Sequence, residues 1–405
     1  MSRIARALGL VLEERFCRLS DGRVFSPSGF GDQFWQRYLS SFDCVLIIAR
    51  LAHVERAEST WAEIRDPRVA IRGLPTYVGP LQFFSIFPKV LRSLLQACKE
   101  ADAIVVRAPG TLSLLVLTLL RHPPNARKPV AVELVGDPID VFGAGVGGRL
   151  SGLLKHVFEW STKRLCVQAD AVSYVTQRTL QARYPPRPNV MTISCSSVEL
   201  PLSALSSEHR QRVSPFPAAR VAIIFTAASL EAPYKGIDVL IAAAAHLVAT
   251  GLTLRVRIAG EGRLRLELEA MAKRLAVEDS VVFLGRLDRN AVMSEMRGAD
   301  LYVQPSLTEG LPRAVIEACA TAAPVVASRV GGIPELLHAD DMVTPGDARE
   351  LAERIMETLT DPTRMVAMSA RNLATSREYL STILDARRGA FYAELRQLTG
   401  HKGNN

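Results

Sequence analysis

Two glutamates, Glu309 and Glu317, with seven residues between them, flank the Gly310-Leu311-Pro312 turn of the stretch VQPSLTEGLPRAVIEACATAAPVVASRVGG (303–332). Pro312 suits the first position of a helix, where its missing N–H costs nothing, so a helix is predicted to start directly after Glu309. Such a terminus presents free backbone N–H groups and a partial positive charge, which together attract an anion. A carboxylate on each side of a phosphate-binding turn is what a nucleotide-sugar site requires, one for the sugar and one for ribose hydroxyls. Glu317 sits more than a turn inside this helix among Ala314, Val315, Ile316, Ala318, Cys319 and Ala320. A carboxylate buried there needs donors, and a diol supplies two. The competing reading is a capping box, since Ser306 and Glu309 have S-x-x-E spacing. That reading would put Pro312 inside the helix, where its ring clashes.

Lys235 follows a predicted strand and precedes a helix beginning Gly236-Ile237-Asp238. A cation there can meet a diphosphate and stabilise it as leaving group, an effect that grows as water is excluded; a solvated turn lysine is the alternative. Arg313, in the first turn after Pro312, has the reach for a phosphate. Gly260 and Gly262 either bring the chain close to a ligand or form a plain tight turn. Asp137 ends the strand segment Val132–Val135 and either acts on a sugar or caps a helix ahead of Pro138. Arg50 and Arg107 also close strands, and with the Ser26–Gly31 loop, Gly31 included, they are acceptor-side candidates. No Asp-x-Asp ends a strand and the seven histidines show no ligand pairing, so no metal is expected.

The stretch from Glu309 to Glu317 resembles the E-x7-E signature of the retaining GT-B glycosyltransferases of family four, the glycosyl transferases group 1. The resemblance extends to Tyr234-Lys235-Gly236 with the following helix, to RVRIAGEGRLRLELEAMAKRLAVEDSVVFLGRL (255–287), and to Val330-Gly-Gly-Ile-Pro-Glu335, in family order. It implies two Rossmann-like, doubly wound α/β domains facing a central cleft, with the donor in the second, the acceptor in the first, and a C-terminal helix crossing back. It implies catalytic roles for Glu309, Lys235 and Asp137. Donor contacts would fall to Glu317, Gly310, Leu311, Pro312, Arg313, Ser229, Gly260, Gly262, Gly285 and Arg286, with Gly285-Arg286 lining the base pocket. Many relatives carry an Arg where this chain has Ser229, and a His near the strand end where it has Gly136-Asp137. Phosphate neutralisation then falls to Lys235, helix N-termini, and Arg313 or Arg286. The activity implied is sugar transfer, with retention and without metal, from a nucleoside diphosphate to a glycan or lipid-linked acceptor of the cell envelope or capsule. A UDP-sugar 2-epimerase on the same fold and a non-catalytic partner subunit are the rivals.

The chain's 405 residues exceed what one core normally fills, so two domains are expected. Residues 1–200 hold 25 Lys and Arg against 17 Asp and Glu, a balance of +8, whereas residues 201–405 hold 24 of each. That asymmetry points to an anionic partner for the first half, such as a membrane surface. Aromatics at 6% with no basic–aromatic cluster argue against nucleic acid. No apolar run approaches a span of ~20 residues. Arg3 and Arg6 ahead of Ala7–Leu12 mimic a signal peptide, but Glu13-Glu14 interrupt the run, and a first buried strand is expected. The six scattered cysteines read as thiols of a reducing cytosol, so the expected place is the cytoplasmic face of a membrane, held peripherally.

The elements that must position these residues alternate as in α/β sheets. The first half predicts strands at 8–12, 44–49, 103–106, 130–135, 171–175 and 190–193, with helices at 33–39, 87–99 and 148–168. The second predicts strands at 221–226, 253–259, 281–284, 300–303 and 324–327. The expected domains are 1–205 and 221–375, joined by a Pro- and Ser-rich linker at 206–220 and followed by the helical tail 376–405. In open α/β sheets ligands bind beyond the carboxyl ends of the strands, where these residues fall.

Overall fold

The computed structural model describes residues 6–77, 79–119, 128–139, 151–211 and 220–401. It divides into two compact units, one of residues 1–139, 152–195 and 385–405, the other of 140–151 and 196–384. The divisions fall after Cys195 and Leu384, where the sequence suggested 205 and 375.

In the first unit, strands β1 (Ala7–Arg18), β2 (Val24–Ser26), β3 (Cys44–His53), β4 (Ala62–Glu63), β5 (Val69–Leu74), β6 (Ala103–Ala108), β7 (Val130–Leu134), β8 (Ala171–Tyr174) and β9 (Met191–Ser194) form one sheet. Its parallel part runs β5-β3-β1-β6-β7-β8-β9, so the strand order reverses between β1 and β6. Among the described residues, the helices between and after these strands are α1 (Asp32–Leu39), α2 (Gly79–Glu100), α3 (Thr111–Leu119), α4 (Ser151–Gln168) and α5 (Thr179–Arg183). The start expected for α4 at Gly148 lies outside the described residues. The first strand is longer than expected. Glu13 and Glu14 do not end it; its register on β3 shifts between Val11 and Arg15, and pairing resumes to Arg18. A bulge of this kind re-aims side chains without stopping the strand. The short strand β2 pairs antiparallel with it, and β4 antiparallel with β2; with β5 they escaped the sequence reading, because segments so brief, or broken by exposed residues as β5 is, carry no apolar run.

Leu8, Leu10 and Leu12 alternate to one face of β1, where they join Trp35 and Tyr38 of α1 and Phe391, Tyr392 and Leu395 of the C-terminal helix Ser381–His401. The period-two pleat puts these leucines on one side. The tail from Asp385 thus belongs to the first unit's core.

In the second unit, strands β10 (Ala222–Ala227), β11 (Leu254–Ala259), β12 (Val281–Gly285), β13 (Leu301–Gln304), β14 (Val325–Ser328) and β15 (Met342–Val343) lie in the order β12-β11-β10-β13-β14-β15, all parallel. Between them run α6 (Ile237–Ala249), α7 (Arg265–Arg274), α8 (Arg289–Gly298) and α9 (Arg313–Ala320), followed by α10 (Ala348–Thr360) and α11 (Pro362–Ser376). β13 and β14 are buried throughout, which is why they read as unbroken apolar runs. The chain order reverses at β10 and β13, the switch point at which doubly wound sheets open a crevice beyond their carboxyl ends.

Candidate functional site

The loops leaving β10 and β13 carry Lys235 and Glu309, so the fold brings both residues to the switch point of the second sheet. Lys235 ends a short 3-10 turn, Pro233–Lys235, and Gly236 follows in the left-handed region at φ 65° before α6 begins. The two loops are tied together: the Leu307 N–H donates to the Tyr234 carbonyl at 2.8 Å. Lys235 Nζ then donates to Glu309 Oε1 at 2.7 Å. Sequence reasoning gave these residues separate partners; the structure pairs them.

Glu309 is 8% exposed and anchored from beneath. Ser306 Oγ donates to its Oε1 at 2.8 Å and Gln304 Nε2 at 3.1 Å, while the Tyr302 hydroxyl donates to Gln304 Oε1 at 2.7 Å. Lys235 Nζ, Ser306 Oγ and Gln304 Nε2 thus converge on Glu309 Oε1. A carboxylate so fixed loses little further entropy when it meets a ligand. Gln304 and Ser306 were not singled out from sequence as site residues. The Ser306–Glu309 spacing that suggested a capping box makes a side-chain contact instead. Gly331, at φ 52°, closes the site from the side, because a Cβ there would lie 1.7 Å from the Glu309 carbonyl oxygen. Only glycine permits so close a backbone approach.

Pro312 is the N-cap of α9, not its first helical residue, and its backbone is extended at φ −72°, ψ 119°. Arg313 therefore opens the helix, and its free first-turn N–H groups follow the Gly310-Leu311-Pro312 turn. Arg313 is exposed. Glu317 is 5% exposed, and Arg289 Nε of α8 stands 3.2 Å from its Oε1, at ion-pair distance but without hydrogen-bond alignment. Burial raises the Glu317 pKa above the usual carboxylate range, while Arg289 and Arg313 oppose that shift. A buried oxygen with an unaligned cation retains room for further donors. The arginine was missed because it is distant in sequence and sits on a separate helix.

Of the remaining donor-side residues, Ser229 is exposed and its Oγ accepts from the Glu231 N–H at 3.3 Å. Gly260 and Gly262 serve the packing of two loops: a Cβ on Gly260 would meet the Ala228 carbonyl oxygen at 1.8 Å, and one on Gly262 the Leu230 carbonyl carbon at 2.2 Å. Gly285 gives its carbonyl to the Gly260 N–H at 2.8 Å, and Arg286 is exposed beside it.

The first unit changes the reading of its candidates. Asp137 is 3% exposed and accepts from the Tyr184 hydroxyl at 2.6 Å and the Ile139 N–H at 2.8 Å, and it is paired with Arg183. Burial, with Asp137 beside it, raises the Tyr184 phenol well above its ordinary value. These contacts hold the Asp137 carboxylate in place, and the helix it was expected to cap runs into residues outside the described ones. Arg107 pairs through Nε with buried Glu133 at 3.2 Å and lies over the rings of Phe30 and Phe34. Glu133 also accepts from the hydroxyls of Tyr38 and, on the C-terminal helix, Tyr392. Arg107 therefore ties elements together beneath the strand ends. Arg50 donates to the Glu13 carbonyl at 2.8 Å and the Tyr77 carbonyl at 3.3 Å. Glu13, unremarked as a site residue, accepts from the Leu112 N–H of α3 at 2.8 Å and the Tyr77 hydroxyl at 3.1 Å, at this sheet's own switch point. Gly31 is the N-cap of α1.

Residues 209–374 match the family model of glycosyl transferases group 1. Protein CapJ of Staphylococcus aureus is 28% identical over 82% of this chain and 81% of its own length. The GDP-mannose-dependent monoacylated alpha-(1-6)-phosphatidylinositol monomannoside mannosyltransferase of Corynebacterium glutamicum is 36% identical over 35% of this chain and 39% of its own. Among solved structures, HepE from Anabaena, in complex with UDP, superposes with a TM-score of 0.64 at 18% identity, covering 94% of this chain and 97% of that one. The fold is GT-B.

Proposed function

Because residues 209–374 make this chain a member of the glycosyl transferases group 1 and a glycosyltransferase, we propose that it moves a hexose, with retention and without a metal ion, from a nucleoside diphosphate to a hydroxyl of a lipid-linked envelope or capsular glycan. The observation that carries this is the Lys235–Glu309 pair at the switch point, beside the N-terminus of α9. Glu317 would accept the ribose hydroxyls, with Arg289 keeping its charge. Lys235 and the helix terminus would meet the diphosphate, doing by preorganised charge what a divalent ion does elsewhere. Glu309 would hold the sugar's hydroxyls and favour the positive charge developing at its anomeric carbon. The bond from that carbon to the diphosphate breaks, and the acceptor oxygen bonds on the same face. The acceptor's proton passes to the departing phosphate. Intact Lys235, Glu309 and Glu317 argue against a non-catalytic subunit.

The complexed UDP of HepE and the GDP-mannose in the mannosyltransferase's name support a nucleoside diphosphate donor. The latter's acylated acceptor, with the +8 of residues 1–200, supports a lipid-linked acceptor at an anionic cytoplasmic surface. The test is turnover and calorimetric binding of UDP- and GDP-hexoses in excess EDTA, with the product anomer read by NMR. One nucleotide series is expected to bind and turn over, with the donor's anomeric configuration kept. Inversion, or turnover that returns only with magnesium or manganese, overturns the corresponding element of the proposal.

A further inference from the structure

Helix α4 of the first unit buries one side and leaves the other strangely apolar. Phe158, Ser161, Thr162, Leu165 and Cys166 face inward, each at most 9% exposed. Outward stand Leu153 at 64%, Val157 at 39%, Trp160 at 55% and Val167 at 47% exposure. Their spacing of four, three and seven residues places them in one stripe along the helix. The outer face of a soluble protein's helix is ordinarily polar, and exposed apolar side chains in a contiguous row mark an interaction surface.

The charges on this face select the occupant. Arg164 lies within the stripe, its guanidinium 5.4 Å from the centroid of the Trp160 ring. Lys163 and His156 border it, both exposed. Glu159, the acid of this helix, is spent on Lys163 at 2.7 Å. A second copy of the chain would bring the same cations against one another. An anionic bilayer instead takes the leucine, valines and indole into its headgroup boundary and meets the cations with lipid phosphates. Tryptophan favours that boundary, its ring apolar and its N–H wet. Among the described residues no helix is long and apolar enough to cross a membrane, so α4 would lie flat.

We propose that the outer face of α4 is an anionic-lipid docking surface, with Trp160, Leu153 and Val157 inserted and Lys163 and Arg164 on phosphates. It gives a place to the lipid-linked acceptor reading and rests on that reading for its purpose, though its own evidence is exposure and charge.

The test is co-sedimentation of the full chain with vesicles of equal parts phosphatidylglycerol and phosphatidylcholine, against phosphatidylcholine alone, at low and physiological salt. The wild type is expected to bind the anionic vesicles and to be released by salt. Trp160→Asp or Leu153→Asp lowers binding about tenfold or more, and Lys163→Glu with Arg164→Glu roughly fivefold per residue. Both sets change exposed positions, and melting curves check that they fold. Equal binding by the variants, or none by the wild type at low salt, overturns the proposal. So does a concentration-dependent dimer abolished by Trp160→Asp without vesicle binding. Calorimetric binding of UDP- and GDP-hexoses by the same variants is expected to be unchanged. If no nucleotide binds yet vesicle binding follows α4, the transfer reading fails and the docking surface stands.

Discussion

Glu317→Gln should move affinity and stability in opposite directions. The amide matches the carboxylate in shape, so the substitution removes charge and one acceptor with little change in packing. If the ribose diol donates two hydrogen bonds to Glu317, losing one and weakening the other to a neutral amide oxygen costs about 2–4 kcal/mol, or roughly 30- to 700-fold in Kd for the nucleotide. Stability runs the other way. Burial raises the Glu317 pKa, against the pull of Arg289 and Arg313. The fold therefore favours the protonated acid, and this group's contribution is full at low pH and declines as pH rises through the raised value. Glutamine, neutral throughout, escapes the decline. The variant should melt above the wild type at neutral pH, and the gap should close below the ordinary carboxylate range. Arg289, whose side chain is 48% exposed, is hydrated when its partner's charge goes. Calorimetry with UDP and GDP, beside melting curves across pH, measures both halves. Unaltered nucleotide binding refutes the ribose assignment; a lower melting temperature at neutral pH refutes the account of Glu317's burial.

Lys235→Ala should lower kcat/KM roughly 100-fold or more, as expected when a preorganised charge on a leaving group is lost; near-normal rates in a transfer assay would mean the phosphate site is elsewhere. Ser229→Arg, at an exposed position of the same loop, should fold normally and tighten nucleoside diphosphate binding in calorimetry. Gly331→Ala would put a Cβ 1.7 Å from the Glu309 carbonyl oxygen; a loss of about 2 kcal/mol or more in stability is expected, with catalysis falling alongside, and an unchanged melting temperature would contradict the close packing of these loops.

The order of strands and helices, the presence of Lys235 and Glu309 in loops after strands, and that of Glu317 inside the helix that follows could be read from the sequence. Parallel strands buried on both faces must be continuous apolar runs, and loops at their carboxyl ends are where polar residues remain. The helix start after Glu309 was legible too, although Pro312 proved its cap, because an extended backbone ahead of the first turn suits proline as well as the first turn does. What the sequence left open was partnership. Lys235 and Glu309 are 74 residues apart, and only the adjacency of β10 and β13 puts one on the other. Arg289 reaches Glu317 because α8 and α9 pack against each other. Glu133 is shared by Arg107, Tyr38 and Tyr392, the last of these 259 residues away. Periodicity likewise could place Leu153, Val157, Trp160 and Val167 on one face of a helix, yet apolar spacing is the same whether that face meets a core or the outside. Local chemistry is written residue by residue along the chain, whereas pairing and exposure follow from which strands lie side by side and which helix faces they cover, and those are decided by packing over the whole unit.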